Sequence, residues 1–420
     1  MEKIKTIKGT HDILGKESEI HDFIIKFSED ICRAFNFQKI STPIIEDSMV
    51  FQRTLGDSTD IISKEMYSFV DSGGDKITLR PEGTAPITRC MISNSLFEEL
   101  NQKFYYFGPM FRRERPQSGR LRQFHQFGVE IFNDFSFFSD AEIILVAYKI
   151  IKILGLEEKL NLEINSLGNK KSRNDYKSAL LNYFGKYKSD LSEESKFRLE
   201  KNVLRILDSK NESDKKIIKS CPRIGGYLDK ESRYFFEGLK QILIDLKIPY
   251  NENFRLVRGL DYYDHTIFEF IGDTESRQSA VFAGGRYDNL SKTLGGRDIP
   301  GVGWAAGIER ISLILNEEKT LFNKKIMVIF ASNDRDNHNI LKILNNITDL
   351  KNITFHTLYN GSFKKKITKA HKLGAISAII LGEEELLEGN FSYKDLRSGK
   401  QDLVKIEKIK DFLIEKLNHD

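Results

Sequence analysis

The sequence predicts an α+β fold with more than one domain, and three observations lead to this prediction. Residues 103–131 have the pattern of an antiparallel hairpin, residues 170–250 are charged and helical in pattern, and short apolar strands alternate with helices beyond residue 325. A chain of 420 residues is also long enough for two or three domains of ordinary size.

The composition is that of an ordinary soluble globular protein, with 40% hydrophobic and 30% charged residues. The sequence contains no run of about 18 apolar residues, so no membrane helix is predicted. The amino terminus lacks the apolar region of a signal peptide. The three cysteines, Cys32, Cys90 and Cys221, are isolated, so we expect no disulfide framework or zinc site and a reducing, cytoplasmic location. The net charge of +4 permits a local nucleic-acid patch without requiring one.

The first 169 residues alternate between helical and strand patterns. Apolar residues at helical spacing begin at Ile20, and a serine followed by acidic residues begins another helical pattern at Ser139. Helices are predicted over residues 19–35, from Pro81 onward and over 139–155, and strands over 37–45 (interrupted by Pro43), 76–80 and 161–166.

Beyond residue 170 the pattern changes twice. Residues 170–250 carry many charges and few strand signals, which predicts an inserted helical module. Strands are predicted over residues 254–257, 266–271 and 279–283, and residues 301–315 predict a strand that runs into a helix. A second boundary falls near residues 317–325, and the alternation that follows predicts a small α/β domain with some parallel strand pairing.

The stretch FRRERPQSGRLRQFHQFGVE, residues 111–130, carries five arginines between Arg112 and Arg122. Pro116–Gly119 has the residues of a turn, so the second half is predicted to be the return strand of a hairpin. The strand period of two places Arg120, Arg122, Phe124, Gln126, Gly128 and Glu130 on one face, and Leu121, Gln123, His125, Phe127, Val129 and Ile131 on the other. The second set becomes apolar, as a core-facing surface does.

The first set forms a polar face suited to two ligands side by side. Guanidinium groups match phosphate oxygens, a phenyl ring can stack on a nucleobase, and Gln126 and Glu130 can accept from N–H donors. Taken alone, the stretch fits a solvated, salt-bridged edge hairpin equally well. The hairpin register does not follow from the sequence, so it stays open whether Arg112 and Glu114 share this face.

The stretch also resembles motif 2 of class II aminoacyl-tRNA synthetases, specifically that of the histidyl-tRNA synthetase family. TLRPEGTAP (78–86) resembles the family's amino-acid-binding turn, LVRGLDYYDHTIFEF (256–270) its histidine signature, AGGRYDNL (283–290) its glycine-rich companion and GVGWAAGIERI (301–311) motif 3. The resemblance extends to KGTHDILG near the amino terminus and to the C-terminal α/β domain, so it covers nearly the whole chain.

The resemblance implies an α+β catalytic domain built on a mostly antiparallel sheet of six or seven strands flanked by helices. It places the first part of this domain, with motifs 1 and 2, at residues 1–169, and the second part, with the histidine signature and motif 3, at 251–320. A helical insertion at 170–250 and an α/β anticodon-binding domain at 325–420 complete the chain. The family forms dimers through motif 1, near residues 19–50 here, so a homodimer is expected.

The implied activity is ATP-dependent ligation of L-histidine to tRNA(His) through a histidyl-adenylate, with release of AMP and pyrophosphate. Mg²⁺ is expected on the β- and γ-phosphates of ATP, and its protein ligands are not identified by the sequence. Arg112 and Arg258 are the implied catalytic residues at the α-phosphate. The implied ATP-binding residues are Arg112, Glu114, Phe124 and Arg310.

The family motifs also imply a histidine site and a tRNA contact. Glu82, Thr84 and Gln126 would accept from the ammonium, and Glu130 and Tyr263 from the imidazole. Tyr262 is a further candidate, and both tyrosines could instead be core residues. Gly284, Gly285 and Gly307 would allow close approach of backbone to ligand, or simply form turns and pack. Arg115 and Gln117 would contact the tRNA acceptor end, and the lysine-rich residues 364–372 either contact the anticodon or form a solvated helix face.

Two other functions stay open at this point. A regulatory paralogue of the synthetase would act on histidine biosynthesis without aminoacylation, but such proteins typically lack the C-terminal domain and the signature arginines, both of which are present here. A different class II synthetase is disfavoured by RGLDYY and AGGRYD. The chain departs from the family at Lys8, where arginine is usual, and at Gly15, where proline is common, and residues 221–228 resemble the family only loosely.

Overall fold

Eight strands form the main sheet in the computed structural model, which describes residues 3–54, 65–98, 102–258, 260, 262–274, 277–315, 325–350 and 353–418. These strands are β1 (Gln38–Lys39), β5 (Gln102–Phe111), β6 (Gln123–Phe132), β7 (Leu160–Ser166), β8 (Tyr250–Glu252), β9 (Asp264–Thr274), β10 (Arg277–Arg286) and β11 (Gly301–Gly307). Their order is β1-β5-β6-β11-β10-β9-β7-β8, and all neighbours are antiparallel except β1 with β5 and β7 with β8. The predicted mostly antiparallel sheet is therefore confirmed, with eight strands rather than six or seven.

The chain divides into two units, Met1–Asn316 and Glu317–Asp420. The helices of the first unit are α1 (Lys16–Ala34), α2 (Ser48–Thr54), α3 (Thr84–Ser93), α4 (Phe137–Ile153), α5 (Lys170–Gly185), α6 (Glu193–Lys201), α7 (Glu212–Ile218), α8 (Lys230–Asp245), α9 (Leu290–Thr293) and α10 (Ile308–Ile314). Two 3₁₀ helices, Val203–Asp208 and Ile224–Gly226, lie between them.

Strand β6 lies between β5 and β11, and its two faces differ as the alternation predicts. Phe127, Val129 and Ile131 are buried in an apolar core together with residues of α1, α4 and α8. The alternation starts only at Gln123, where β6 begins, because Arg112–Arg122 forms an irregular turn rather than strand. One hydrogen bond, from the Arg112 amide to the Arg122 carbonyl, closes this turn at 2.9 Å.

The helices that cover this face of the sheet, α1, α4 and α8, direct apolar side chains toward it. Helix α4 buries Ile143, Ile144 and Ala147, and the indole N–H of Trp304 on β11 donates to the Ile143 carbonyl at 3.0 Å. Burial of apolar surface at about 25 cal/mol per Å² makes this layer the main stabilising contribution to the unit. The sheet face opposite these helices is thereby left for α3 and for the loops that carry polar residues.

The strand predicted over residues 37–45 is split into two pieces that belong to different sheets. Its first part is β1, and its last residue begins β2 (Ile45–Asp47), which joins β3 (Tyr67–Val70) and β4 (Lys76–Leu79) in a small antiparallel sheet. Pro43 stands at the break, where a proline cannot donate to a strand ladder.

The prediction of a strand over residues 254–257 is wrong. The strand in this region is β8, and the chain turns directly after it. Asn253 explains the turn, because its side-chain oxygen accepts from the Arg255 amide at 3.0 Å and its carbonyl accepts from the Leu256 amide at 2.9 Å.

The segment from α5 to α8 is helical, as its pattern predicts, and it has a small apolar core of its own. Tyr176, Leu180 and Phe184 on α5 form one side of this core. Asp214 is completely buried beneath it and accepts from the hydroxyls of Ser192, Ser195 and Ser209 at 2.6–2.7 Å. Burial acts to raise the pKa of Asp214, but a hydrogen bond from the Ser192 amide at 2.8 Å and those from the three hydroxyls outweigh it and lower the pKa.

The second unit contains a five-stranded sheet in the order β13-β12-β14-β15-β16. These strands are β12 (Lys325–Ala331), β13 (Ile353–Thr357), β14 (Ser377–Leu381), β15 (Asn390–Asp395) and β16 (Gln401–Lys405). The helices are α11 (Asn337–Ile347), α12 (Phe363–Lys372), α13 (Glu383–Leu387) and α14 (Ile409–Asn418). Strand β12 is parallel to both of its neighbours, so the predicted α/β pattern with some parallel pairing is confirmed.

None of the helices among the described residues is both long and apolar enough to cross a membrane. Nor do these residues contain a group of three or more histidine, cysteine, aspartate or glutamate side chains that could hold a metal ion.

A buried ion pair joins the end of β10 to the start of α4. The guanidinium of Arg286 is fully buried and donates to Asp140 at 2.5 and 2.9 Å. Asp288 and the carbonyl oxygens of Asp134 and Ser136 accept its remaining N–H groups at 2.9–3.0 Å. Every strong donor of this cation thus has a partner, which is the condition under which a buried charge is tolerated.

We predict that Arg286→Ala lowers the free energy of unfolding of the first unit by about 3–5 kcal/mol, because it leaves Asp140 charged and unpaired in the interior. The protein has one tryptophan, Trp304, which is buried in this unit, so its fluorescence during urea unfolding measures the change. Lys292→Ala, which breaks only the exposed pair with Asp298, is the matched control and is expected to cost less than about 1 kcal/mol. Equal losses in the two variants would contradict this account.

Candidate active site

A cavity of about 1080 Å³ opens on the polar face of β6. Eleven of the residues singled out from the sequence line it: Glu82, Thr84, Arg112, Glu114, Phe124, Gln126, Arg258, Tyr262, Tyr263, Gly307 and Arg310. Glu130, Gly284, Gly285, Arg115 and Gln117 do not belong to the cavity wall. The hairpin, the histidine signature and the β11–α10 junction therefore contribute to one site.

Three arginines form a cationic part of the wall. Arg112 follows β5 directly, and its Nε donates to the Pro81 carbonyl at 2.8 Å while the guanidinium lies 5.2 Å from the centre of the Phe124 ring. Arg310, in the first turn of α10, donates to the carbonyls of Gly119 and Ala280 at 3.2 and 2.7 Å. Arg120, which the strand period placed on the polar face, also lines the cavity, whereas Arg122 does not.

These arginines repel one another. Burial lowers the pKa of Arg310, and the neighbouring Arg120 and Arg112 lower it further. A cluster of like charges, in which Arg112 and Arg310 donate to neutral carbonyls, favours a multiply charged anion as its ligand.

Glu114 is the carboxylate among these arginines. Its Oε2 lies 3.3 Å from Arg120, and its Oε1 lies 3.9 Å from Arg112. The structure thus answers the question that the sequence left open, because Arg112 and Glu114 both face the cavity. Glu114 thus offsets part of the positive charge of Arg112 and Arg120.

Arg258 is a further cation in the wall, and it is almost entirely enclosed. It forms an ion pair with Glu269 on β9, and its guanidinium lies 5.2 Å from the centre of the Tyr263 ring. Burial acts to lower the pKa of Arg258, but Tyr263 and Glu269 outweigh burial and raise it, so the side chain stays charged. Its Nε is buried and has no hydrogen-bond partner among the described residues.

The opposite part of the wall carries buried acceptors at the start of α3. Glu82 accepts from the backbone amides of Thr84 and Ala85 at 2.6 and 2.8 Å. Burial raises the pKa of Glu82, and those two amides counteract part of the rise. The side-chain oxygen of Gln126 is buried without a partner among the described residues, which leaves it available to a donor.

Glu130 lies behind this wall and is fully buried. Its Oε1 accepts from the Thr84 hydroxyl at 2.7 Å, and its Oε2 is hydrogen-bonded to the Tyr287 hydroxyl. Burial raises the pKa of Glu130 to about 8, against the effect of these two hydrogen bonds. Gly303 on β11 makes the arrangement possible, because a Cβ there would overlap the Glu130 carboxylate.

Tyr106 is a buried residue at this end that the sequence reasoning missed. Its ring lies over Gly83 and Gly128, where any side chain would collide with it, and its hydroxyl has no partner with hydrogen-bond geometry among the described residues. Burial raises its pKa well above the ordinary value, and the carboxylates of Glu130 and Glu82 raise it further. The sequence signal is the pairing of an aromatic residue with a glycine, since Tyr106 lies directly opposite Gly128 in the hairpin.

The three glycines singled out from the sequence have different surroundings. A Cβ at Gly285 would lie 2.9 Å from the Tyr263 ring, so this glycine makes room for a cavity residue. At Gly284 a Cβ would instead meet Trp304 and the Gly303 carbonyl in the next strand. Gly307 lies in the cavity wall beside Arg310.

The hairpin tip and part of the helical segment lie at the margin of the site. Arg115 and Gln117 are exposed, and Gln117 takes part in the tight turn with Arg120. From the helical segment, Asp208 and Lys210 reach the cavity wall, which the sequence did not indicate.

The comparison with family models matches two regions of the chain. Residues 9–169 and 201–311 match the model described as histidyl-tRNA synthetase, and residues 325–416 match an anticodon-binding domain. Curated relatives cover nearly all of the chain. One from Gluconobacter oxydans is 42% identical over 97% of both proteins, and one from Orientia tsutsugamushi is 43% identical over 96% of both. Both are named histidine–tRNA ligase.

Among solved structures, the apo histidyl-tRNA synthetase of S. aureus superimposes with a TM-score of 0.79 at 32% sequence identity. The match covers 98% of this chain and 99% of that protein.

The raised pKa of Glu130 predicts a pH dependence of stability. Between pH 4.5 and about 8, Glu130 holds a proton in the folded state. It releases this proton on unfolding, because an ordinary glutamate has a pKa of 4.5. The free energy of unfolding therefore falls as the pH rises between these values, by up to about 1.4 kcal/mol per pH unit. Glu130→Gln cannot titrate, so the stability of the wild type relative to this variant should decrease over the same window.

Urea unfolding followed by Trp304 fluorescence at about pH 5, 6.5 and 8 measures this difference. A difference between the two proteins that stays constant over this range would show that Glu130 is ionised in the folded state.

Proposed function

The chain belongs to the histidyl-tRNA synthetase family, and we propose that it ligates L-histidine to tRNA(His) with ATP through a histidyl-adenylate. The observation that carries this proposal is the composition of one cavity wall, which combines clustered arginines with buried carbonyl and carboxylate acceptors. Arginines suit the triphosphate, and buried acceptors suit the ammonium and imidazole N–H groups of histidine.

ATP is assigned to the arginine part of the cavity. Arg112 binds the α-phosphate, Arg310 binds the γ-phosphate and Phe124 stacks on the adenine ring. Glu114 accepts from the adenine amino group once the phosphates compete for its arginine partners. The mutual repulsion of Arg112, Arg120 and Arg310 supports this assignment, because a bound polyanion relieves it.

Histidine is assigned to the acceptor part of the cavity. Glu82, Thr84 and Gln126 receive its ammonium, and the unpartnered oxygen of Gln126 supports that role. Tyr263 contacts the imidazole, with Tyr262 beside it. A buried polar group left without a partner is costly, so such a site rejects amino acids that lack the matching N–H donors.

Glu130 is assigned to the imidazole through the hydrogen bonds that it makes now. Thr84 and Tyr287 occupy its two oxygens, so an imidazole N–H either replaces one of these hydroxyls or is bound by Thr84 with Glu130 behind it. In both cases the Glu130 carboxyl determines, directly or through Thr84, which hydrogen-bond acceptor the imidazole N–H meets.

The first step is attack of the histidine carboxylate oxygen on the α-phosphorus of ATP, which forms the adenylate and releases pyrophosphate. Arg258 and Arg112 stabilise the negative charge that develops on the α-phosphate oxygens. In the second step the terminal ribose hydroxyl of tRNA attacks the carbonyl carbon of the adenylate and AMP leaves. A phosphate oxygen of the adenylate is the candidate acceptor for the hydroxyl proton.

Mg²⁺ enters with ATP as part of the substrate and neutralises charge on the β- and γ-phosphates. It retains waters and needs only one or two carboxylates beside the phosphates. Glu163 is a carboxylate in the cavity wall that fits this requirement, whereas Glu269 is paired with Arg258.

We infer the domain roles from the same assignment. Residues 1–169 and 251–320 form the catalytic domain, residues 170–250 the insertion and residues 325–420 the anticodon-binding domain. Arg115 and Gln117 meet the tRNA acceptor end from the exposed hairpin tip. Within residues 364–372 the lysines available to tRNA are the exposed ones, because Lys366 is buried and donates to the Ala331 carbonyl at 2.9 Å.

A homodimer that acts in the cytoplasm is the proposed assembly. The small sheet and the helix beside it expose an apolar group, Ile45, Met49, Phe69 and Val70, each between 43% and 61% accessible. Exposed apolar side chains gathered in one region are typical of a protein interface.

The regulatory function without aminoacylation has less support. The curated relatives named histidine–tRNA ligase match nearly the full length of the chain, and Arg112, Arg258 and Arg310 all line the cavity.

The direct test of this function is ATP–pyrophosphate exchange with each of the twenty amino acids in turn. Exchange that depends on histidine alone is the expected result. Exchange with a different amino acid would assign the chain another substrate, and no exchange with any of them would favour the regulatory function.

We predict that Arg258→Ala and Glu130→Ala each lower histidine-dependent exchange by at least about 100-fold, since one removes charge stabilisation and the other a buried acceptor. Arg297→Ala, at an exposed arginine outside the cavity wall, is the control and should leave exchange unchanged. Near-normal exchange in a folded Arg258 or Glu130 variant would refute the role of that residue.

A further inference from the structure

The first helix of the insertion, α5, contacts the start of β9 from outside the cavity. Arg173, one turn into α5, donates from Nη1 to the Tyr263 carbonyl at 2.5 Å, and the same atom lies 2.9 Å from Oδ1 of Asp264. The Arg173 side chain is 18% accessible and that of Asp264 is 4% accessible, so solvent screens this contact only weakly.

Other contacts hold Asp264 and His265, the first residues of β9. The His265 amide donates to the Gly168 carbonyl at 3.0 Å, and the Leu167 amide donates to the His265 carbonyl at 2.7 Å. The second Asp264 oxygen accepts from Asn289 at 2.9 Å. His265 has a φ of 43°, a backbone conformation that a non-glycine residue adopts only when its surroundings hold it there.

Arg173 acts on the cavity through its contacts with the Tyr263 carbonyl and the Asp264 carboxylate. Tyr263, whose carbonyl it holds, lines the cavity and stacks beside Arg258, whereas Arg173 is not part of that cavity's wall. Arg173 instead lines a separate small cavity of about 80 Å³ together with Tyr263 and Arg258. The insertion helix and the histidine signature are therefore joined behind the residues that face the ligand.

We propose that Arg173 is a positioning residue that fixes Tyr263 for histidine binding by the site assigned above. The proposal rests on the proposed function, and it gives the insertion a part in amino-acid recognition. Without Arg173 the Tyr263 carbonyl loses a charge-assisted hydrogen bond and Asp264 loses its cation, so the phenol is no longer held in one position.

The test compares Arg173→Ala, Arg173→Lys and the unaltered full-length protein in ATP–pyrophosphate exchange. Arg173→Ala is expected to raise KM for histidine by about tenfold while KM for ATP changes by less than about twofold, because only the histidine end depends on Tyr263. Arg173→Lys keeps a cation beside Asp264 and is expected to recover most of the loss. Lys171→Ala, at an exposed position of the same helix, is the matched control and should behave as the unaltered protein.

A second measurement separates positioning from a general loss of structure. Arg173→Ala leaves a guanidinium-sized gap beside the small cavity, so guanidinium chloride at about 10 mM, far below denaturing concentrations, should bring KM for histidine back toward the original value. Methylammonium chloride at the same concentration is the control salt and should restore less.

Two results would overturn the role of Arg173 while the parent protein remains active with histidine. One is an unchanged KM for histidine in Arg173→Ala. The other is an equal loss for both substrates that neither lysine nor guanidinium restores. Absence of histidine-dependent exchange in the unaltered protein would instead contradict the proposed function, and this proposal with it.

Discussion

The register of β6 between β5 and β11 is the constraint on which the site depends. Because side chains alternate along a strand, this register sends Phe127, Val129 and Ile131 into the core and turns Gln126 and Glu130 to the other face. A slip by one residue would exchange the two sets and bury a glutamine with the apolar core. The free energy of burying the apolar set thus also fixes where the polar set lies.

Glycines decide how close the polar residues can come to one another. Gly83 and Gly128 leave space for the Tyr106 ring, Gly303 for the Glu130 carboxylate and Gly285 for the Tyr263 ring. Three of these four glycines lie on β6, β10 and β11, which are neighbouring strands in the middle of the sheet. The cost is the loss of side chains that would otherwise pack, and the gain is close contact between buried polar groups, whose hydrogen bonds are stronger there than at the surface.

Most of the site could be predicted because its residues lie in continuous motifs. The alternation after Gln123, the turn at residues 116–119 and the change of pattern at residue 170 all follow from local chemistry. What the sequence could not predict depends on distant pairing. Glu130 was expected to face a ligand, but Thr84 and Tyr287, far away in the chain, hold its oxygens. Tyr106 and Arg173 were missed because their importance comes from partners on other elements, and the strand at 254–257 failed because one asparagine side chain redirects the backbone.

The central claim is that one cavity holds the triphosphate among its arginines and the imidazole among its buried acceptors. The most direct measurement is a crystal structure of the protein with ATP and histidinol, which lacks the carboxylate and therefore cannot react. The account predicts the triphosphate in contact with Arg112 and Arg310 and the imidazole ring beside Tyr263 and Thr84. Ligands bound elsewhere, or an imidazole seated among the arginines, would contradict it.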